Sequence, residues 1–169
     1  PSQSSAASDV YKRQIIKILL ERRPKMIPEE IRDLYDGIFE SLTSSEFLYF
    51  WNMGTIKSAN DEYLIRSGEH QKNLLLVLSG SANVEVNGKP IANLTRGTFI
   101  AEISFLSGEP ASADVHANDE LFFVSWNSER LKNLKDENPS FWMKLQHALS
   151  EDLIKKVKPQ AKRDSQIED

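Results

Sequence analysis

Cysteine is absent from the 169-residue sequence, which excludes disulfide scaffolds, thiol nucleophiles and thiolate metal sites. Histidine is scarce. His70, His116 and His147 are scattered, with no H-x-x-x-H spacing or carboxylate cluster, so no metal site is expected. No apolar run approaches the roughly 20 residues that span a bilayer, so the chain as it stands reads as a soluble, intracellular-type domain. Basic residues are too few for a dedicated nucleic-acid binder: 21 Lys and Arg against 25 Asp and Glu leave a net charge of −4. What remains is ordinary globular composition, 40% apolar and 27% charged, at a length that suits one domain with a proper core. There is no internal repeat.

Residues 4–14, SSAASDVYKRQ, read like a translated sequencing-library adapter or, failing that, a disordered leader. Residues 1–14 are therefore set aside, and the true N-terminus is expected to be missing. An N-terminal helical segment follows over 15–51. Ile15–Leu20 is a short apolar helix that Pro24 ends. Pro28 opens an amphipathic one, with Glu29 and Glu30 in its first turn and a stripe at Ile31, Leu34, Tyr35, Ile38, Phe39 and Leu42. Thr43 and Glu46 form a capping box for a third helix, whose Phe47, Leu48, Phe50 and Trp51 read as core.

From residue 52 to 126 the pattern is of short strands. Gly54–Ser58, Tyr63–Arg66, Leu74–Leu78, Ala82–Val86, Ile91–Leu94 and Leu121–Trp126 are separated by turn residues, Asn87-Gly88 being a strong hairpin signal. With the two flanks of residues 97–115 the count reaches about eight, which argues for a closed sandwich or barrel. Helical segments return over 127–157. Ser128 can cap one, and Asn138-Pro139 starts the last, whose apolar face is Phe141, Trp142, Leu145, Ala148, Leu149 and Leu153. Residues 158–169, polar and entered through Pro159, are expected to be disordered.

The stretch Gly97–Val115, GTFIAEISFLSGEPASADV, is the organising one. A strand (Thr98, Phe99, Ile100) runs into Ala101-Glu102 and a short apolar turn. The breaker Ser107-Gly108-Glu109-Pro110 follows, then small residues back into a strand. Such a turn aims free N–H groups at an anion while small side chains let backbone approach it. The plain alternative is a loop between two barrel strands that binds nothing.

This stretch resembles the phosphate-binding cassette of cyclic nucleotide-binding domains, F-G-E-[LI]-[AS]-[LF]-L followed by P-R-[AS]-A-T-V. Ile100 stands at the family's Phe, Ala101 at its Gly, and Glu102 at the Glu that takes the ribose 2′-hydroxyl. Ile103, Ser104, Phe105 and Leu106 continue the turn, and Pro110, Ser112, Ala113 and Val115 match the second half. Ala101 thus replaces a glycine, and Ala111 replaces the arginine that grips the cyclic phosphate. The flanks are similar to Popeye-domain proteins: ERRPKMIPEEIRDLYDGIFESL over 21–42, and VSWNSERLKNLKDENPSFWMKLQHALSEDLIKKV over 124–157. The vertebrate D-S-P-E motif is absent, its positions reading Ala101-Glu102-Ile103-Ser104, so the resemblance is to a bacterial Popeye-like protein.

The resemblance implies an α+β chain: an eight-stranded antiparallel jelly roll with N-terminal helices and a C-terminal helix. It implies a cyclic nucleotide ligand of the cyclic AMP type and no resident cofactor. The site would comprise Gly97, Ala101, Glu102, Ile103, Ser104, Ala111, Ser112 and Ala113, with the final helix relaying occupancy. It also implies a membrane-anchored full-length protein with this domain on the cytoplasmic face, fitting Arg22, Arg23 and Lys25, and a homo-oligomer or membrane-protein partner. The competing reading is a domain of the same fold that binds no ligand and works through protein contacts. Catalysis is not expected, because Glu102 has no base, nucleophile or metal to work with. A transcription factor would need a helix-turn-helix after Val157, where only a short polar tail follows.

Overall fold

The computed structural model describes residues 2–21 and 26–164. A first helix, α1 (Ser2–Glu21), contains the expected apolar stretch and extends back through residues 4–14. The sequence had suggested a leader there, but Ala, Ser, Lys, Arg and Gln without Gly or Pro sustain a helix on propensity alone. Its described side chains, residues 6–16, are exposed, so the helix is local. Arg22, Arg23 and Lys25, which carried the membrane-flank reading, and Pro24, expected to end the first helix, lie outside the described residues.

Helices α2 (Glu29–Ile38) and α3 (Ser44–Met53) form as their patterns predict. Ile31 and Leu34 are buried, as are Phe39 and Leu42 just beyond α2. The capping box is complete: the Thr43 hydroxyl accepts from the Glu46 N–H at 3.2 Å, and the Glu46 carboxylate accepts from the Thr43 N–H at 2.9 Å. The same carboxylate accepts from Lys144 Nζ at 3.1 Å, tying α3 to the last helix.

One antiparallel sheet follows: β1 (Thr55–Asn60), β2 (Tyr63–Ile65), β3 (Asn73–Val86), β4 (Lys89–Leu94), β5 (Phe99–Ile100) and β6 (Asp114–Asn127). Its order is β1-β6-β3-β4, with β2 also on β6 and β5 on β3. The expected eight strands are six among the described residues, because β3 and β6 each run for 14 residues and join two of the expected strands. Their shared ladder shifts register between Val77 and Ser81, where each strand bends and serves both parts of the roll. Gly80 enables the bend. Its φ is +79°, and a Cβ there would stand 2.4 Å from the Glu120 carbonyl oxygen. Asn87 and Gly88 both have positive φ, as the tight β3–β4 hairpin requires.

Strand alternation divides the core. Leu74, Leu76, Val124 and Trp126 face the helices and join Phe39, Phe47, Phe50, Leu131, Phe141 and Leu145. Trp126 stacks on Phe50 at 4.4 Å and donates its indole N–H to the Phe50 carbonyl at 2.8 Å. Leu75, Val77, Ala82, Ala117, Leu121 and Phe123 point the other way, into the roll. Phe47 and Phe50 of α3 are buried, and Leu48 and Trp51 pack against the same core, as expected, whereas Tyr49 is exposed.

Helix α5 (Ser128–Glu137) is capped by Asn127, which accepts from the Arg130 N–H at 2.9 Å; Ser128, expected as the cap, is its first residue. Asn138 accepts from the Phe141 N–H at 3.2 Å and opens α6 (Pro139–Asp164). The helix passes through Pro159 and so takes in most of the tail expected to be disordered. A proline inside a helix removes one backbone hydrogen bond and presses on the carbonyl four residues back, which favours a kink or a stop, but its φ suits a helix and α6 continues past it. No helix among the described residues is long and apolar enough to cross a membrane.

Candidate functional site

The cassette begins where Arg96 pins the roll to α2. Its guanidinium donates to both Asp33 carboxylate oxygens, at 2.9 and 2.8 Å, and to the carbonyls of Leu78 and Glu30. The hydrogen bond from Arg96 holds the Asp33 carboxyl below its usual range. Gly97, expected at the ligand, is a turn residue instead. Its φ is +81°, its N–H donates to the Val77 carbonyl, and a Cβ there would meet Leu34 and Ile38 at 3.5 and 3.6 Å, in ordinary contact. It lies outside the cavity described below.

After β5 the chain turns at Ala101, with φ 68° and ψ 19°, into α4 (Glu102–Ser107). A left-handed conformation costs an L-residue roughly 1–2 kcal/mol, which is why a glycine pattern fits this position. The Ala101 carbonyl accepts the Phe105 N–H at 2.9 Å, and Gly108, also left-handed, closes the turn onto Ser104. The first N–H groups of the helix, at Glu102 to Ser104, have no acceptor within it. Phe105 is buried and meets Trp142 of α6 edge-on at 5.8 Å. The second half of the cassette is held by the β2–β3 loop: the Ala111 N–H donates to the Glu69 carbonyl at 3.0 Å, and Gly68 donates to the Ala111 carbonyl at 2.8 Å.

Between these pieces lies a cavity of about 550 Å³, within the range of small-molecule sites. Seven of the eight expected site residues line it: Ala101, Glu102, Ile103, Ser104, Ala111, Ser112 and Ala113. Glu102 is 5% exposed and Ser104 is buried, whereas Ile103 is 52% exposed at the rim. Six other segments complete the walls, with Ile65 from β2, Val84 from β3, Ile91 to Leu94 from β4, Thr98 to Ile100 around β5, Val115 from β6, and Leu153 from α6. Motif reading missed those outside the cassette, from β2, β3, β4 and α6. Their only signal was strand and helix periodicity, which reports burial and not what is buried against.

Among the described lining residues Glu102 is the one ionisable group. His116, just beyond the cassette, does not line the cavity; it faces Asp61 (Nε2–Oδ1 3.3 Å) and the Tyr63 ring. Arg66 is engaged elsewhere too, 3.8 Å from Asp114 and 3.4 Å above the Tyr63 ring. No group of His, Asp and Glu among the described residues could hold a metal ion.

Fold and cavity together define the class. The family model of the cyclic nucleotide-binding domain matches residues 55–138, and those residues are a cyclic nucleotide-binding domain. Within the class the chain is similar to Popeye domain-containing protein 1. It is 25% identical to the Gallus gallus protein over 153 residues, covering 84% of this chain and 43% of that one. To the Homo sapiens protein it is 23% identical over 151 residues, covering 83% and 42%. The chain thus spans less than half the length of these relatives. A cyclic nucleotide-binding domain from Methylobacillus flagellatus KT superposes with a TM-score of 0.72 at 26% identity, covering 80% of both chains.

Proposed function

We propose that the cavity is a cyclic nucleotide site of the cyclic AMP type, and that this chain is the regulatory domain of a Popeye-like membrane protein. The observation that carries the reading is the burial of Glu102 in the cavity wall at the head of the cassette. A carboxylate there is an acceptor for a ribose hydroxyl. The first-turn N–H groups of α4 are donors suited to an anion, and the apolar walls from β3 and β4 suit a base. Leu153 supports α6 as the relay, since a helix that contributes to the wall feels occupancy directly. The Phe105–Trp142 contact joins the cassette to the same helix.

Ala111 favours a second reading, in which the domain has given up ligand and acts through protein contacts, because a phosphate without its arginine loses a charge-assisted, often bidentate partner. Calorimetric titration with cyclic AMP of the wild type and Glu102→Ala, alongside melting curves, separates the two. A hydrogen bond to a charged group contributes roughly 1.5–3 kcal/mol, so the variant's affinity should fall about ten- to a hundredfold. The loss should exceed any change in stability. Equal affinities would remove Glu102 from the site, and no binding by either protein would favour the ligand-free module.

A further inference from the structure

The second half of the cassette wall belongs to no helix or strand. Residues 108–113 lie between α4 and β6, and Ala111, Ser112 and Ala113 of this stretch line the cavity. They are held by the β2–β3 loop, residues 66–72, of which no described residue lines the cavity. The Gly68 N–H donates to the Ala111 carbonyl at 2.8 Å, and the Ala111 N–H donates to the Glu69 carbonyl at 3.0 Å. Asp114 closes this clasp one residue beyond the wall. Its Oδ1 accepts the Ser67 N–H at 2.7 Å, and Arg66 Nη1 stands 3.8 Å from its Oδ2. The Arg66 guanidinium is itself seated 3.4 Å above the Tyr63 ring. Aspartate is depleted in strands, yet this one is the first residue of β6, with its side chain only 22% exposed.

We propose that Asp114 is a positioning residue of the ligand site: by holding the β2–β3 loop it sets the wall of Ala111 to Ala113 before the ligand arrives. Asp114 itself does not line the cavity. The proposal rests on the reading of that cavity as a cyclic nucleotide site. A wall already in its bound position spares the ligand the cost of ordering it. A loose wall is ordered only on binding, so affinity falls although no ligand contact is removed. Linkage makes the effect reciprocal: a ligand that fixes the wall also fixes the loop. A carboxylate suits this task because its bond from an N–H is charge-assisted and stronger than a neutral one. Asparagine in its place keeps a carbonyl oxygen for the Ser67 N–H and loses the charge.

Calorimetric titration of the full chain with cyclic AMP tests this, for the wild type, Asp114→Ala and Asp114→Asn, each well below its melting transition. Asp114→Ala should bind at least about fivefold more weakly, the low end of a typical coupling, and Asp114→Asn should recover most of the loss. Equal affinity of wild type and Asp114→Ala would overturn the proposal while leaving the nucleotide site intact. So would an Asp114→Asn as weak as the alanine variant, because the Ser67 bond would then not be the cause. Amide hydrogen exchange in the wild type gives a second reading, which stands even if Asp114→Ala does not fold. Saturating cyclic AMP should slow exchange at the Ser67 and Gly68 amides by about fivefold or more, and unchanged exchange there would overturn the proposal. Absence of cyclic AMP binding by the wild type would overturn it together with the nucleotide reading.

Discussion

Restoring an arginine at the cassette's empty position, Ala111→Arg, is the perturbation that reads the site most finely. Ala111 is half-buried in the cavity wall, with its backbone fixed on both sides by the β2–β3 loop, so a new side chain there starts from a set position. A guanidinium on a phosphate contributes roughly 1.5–3 kcal/mol, and its planar donor fork suits phosphate oxygens better than an ammonium would. Ordering that side chain takes back up to about 2 kcal/mol. The new side chain also takes up space in the cavity that Ala111 lines, which changes the binding of every ligand. The absolute affinity is therefore a poor readout, and the ratio between cyclic AMP and adenosine is a good one. Ribose effects cancel in the ratio, and the phosphate contact alone remains. The ratio should move toward cyclic AMP by about tenfold or more, and the cyclic AMP affinity should fall more steeply with salt than the wild type's. Titration of both ligands into both proteins measures it. An unchanged ratio would refute the placement of the anion end beside Ala111.

Gly80→Ala should destabilise the roll. The positive φ costs about 1–3 kcal/mol and the Cβ would press on the Glu120 carbonyl, so the melting temperature should fall by at least about 4 °C; an unchanged melt would mean that the bend is not fixed there. Asp33→Asn should matter at neutral pH and not in acid. The carboxyl's folded pKa lies below its unfolded one, so its contribution is present above about pH 4 and lost as pH falls through the folded value. The side chain is 60% exposed, which limits the neutral-pH cost to about 1 kcal/mol or less. Melting differences that persist equally below about pH 3 would contradict the Arg96 pairing as the cause. The full-length gene product should fractionate with membranes, and full recovery in the soluble fraction would contradict the Popeye-like anchoring.

Much of the fold was legible because its signals are local. The capping box at Thr43, the Asn87-Gly88 hairpin and the Asn138-Pro139 helix start each need a few consecutive residues, and each forms as expected. Errors arose where one residue admits two structures. Pro159 can end a helix or be carried within one, and the helix continues past it. The gaps between Leu78 and Ala82 and between Val115 and Leu121 suggested separate strands, but both are bends within β3 and β6, since a register shift preserves the ladder on both sides. The cassette half of the cavity was readable for the same local reason. Gly97 was grouped with it because a glycine at a turn looks alike whether it meets a ligand or Leu34. Leu153 and Ile91 were invisible as site residues because they reach the cavity from helix α6 and strand β4, distant in sequence from the motif.

Amide-resolved NMR of the isotopically labelled chain, titrated with cyclic AMP, tests the central claim most directly. Saturable shifts should concentrate at Glu102 to Ser104 and Ala111 to Ala113, with a second group at Leu153 on α6, and Gly97 and His116 should move least. Absence of any saturable shift at millimolar ligand, or shifts confined to residues away from the cavity, would contradict it.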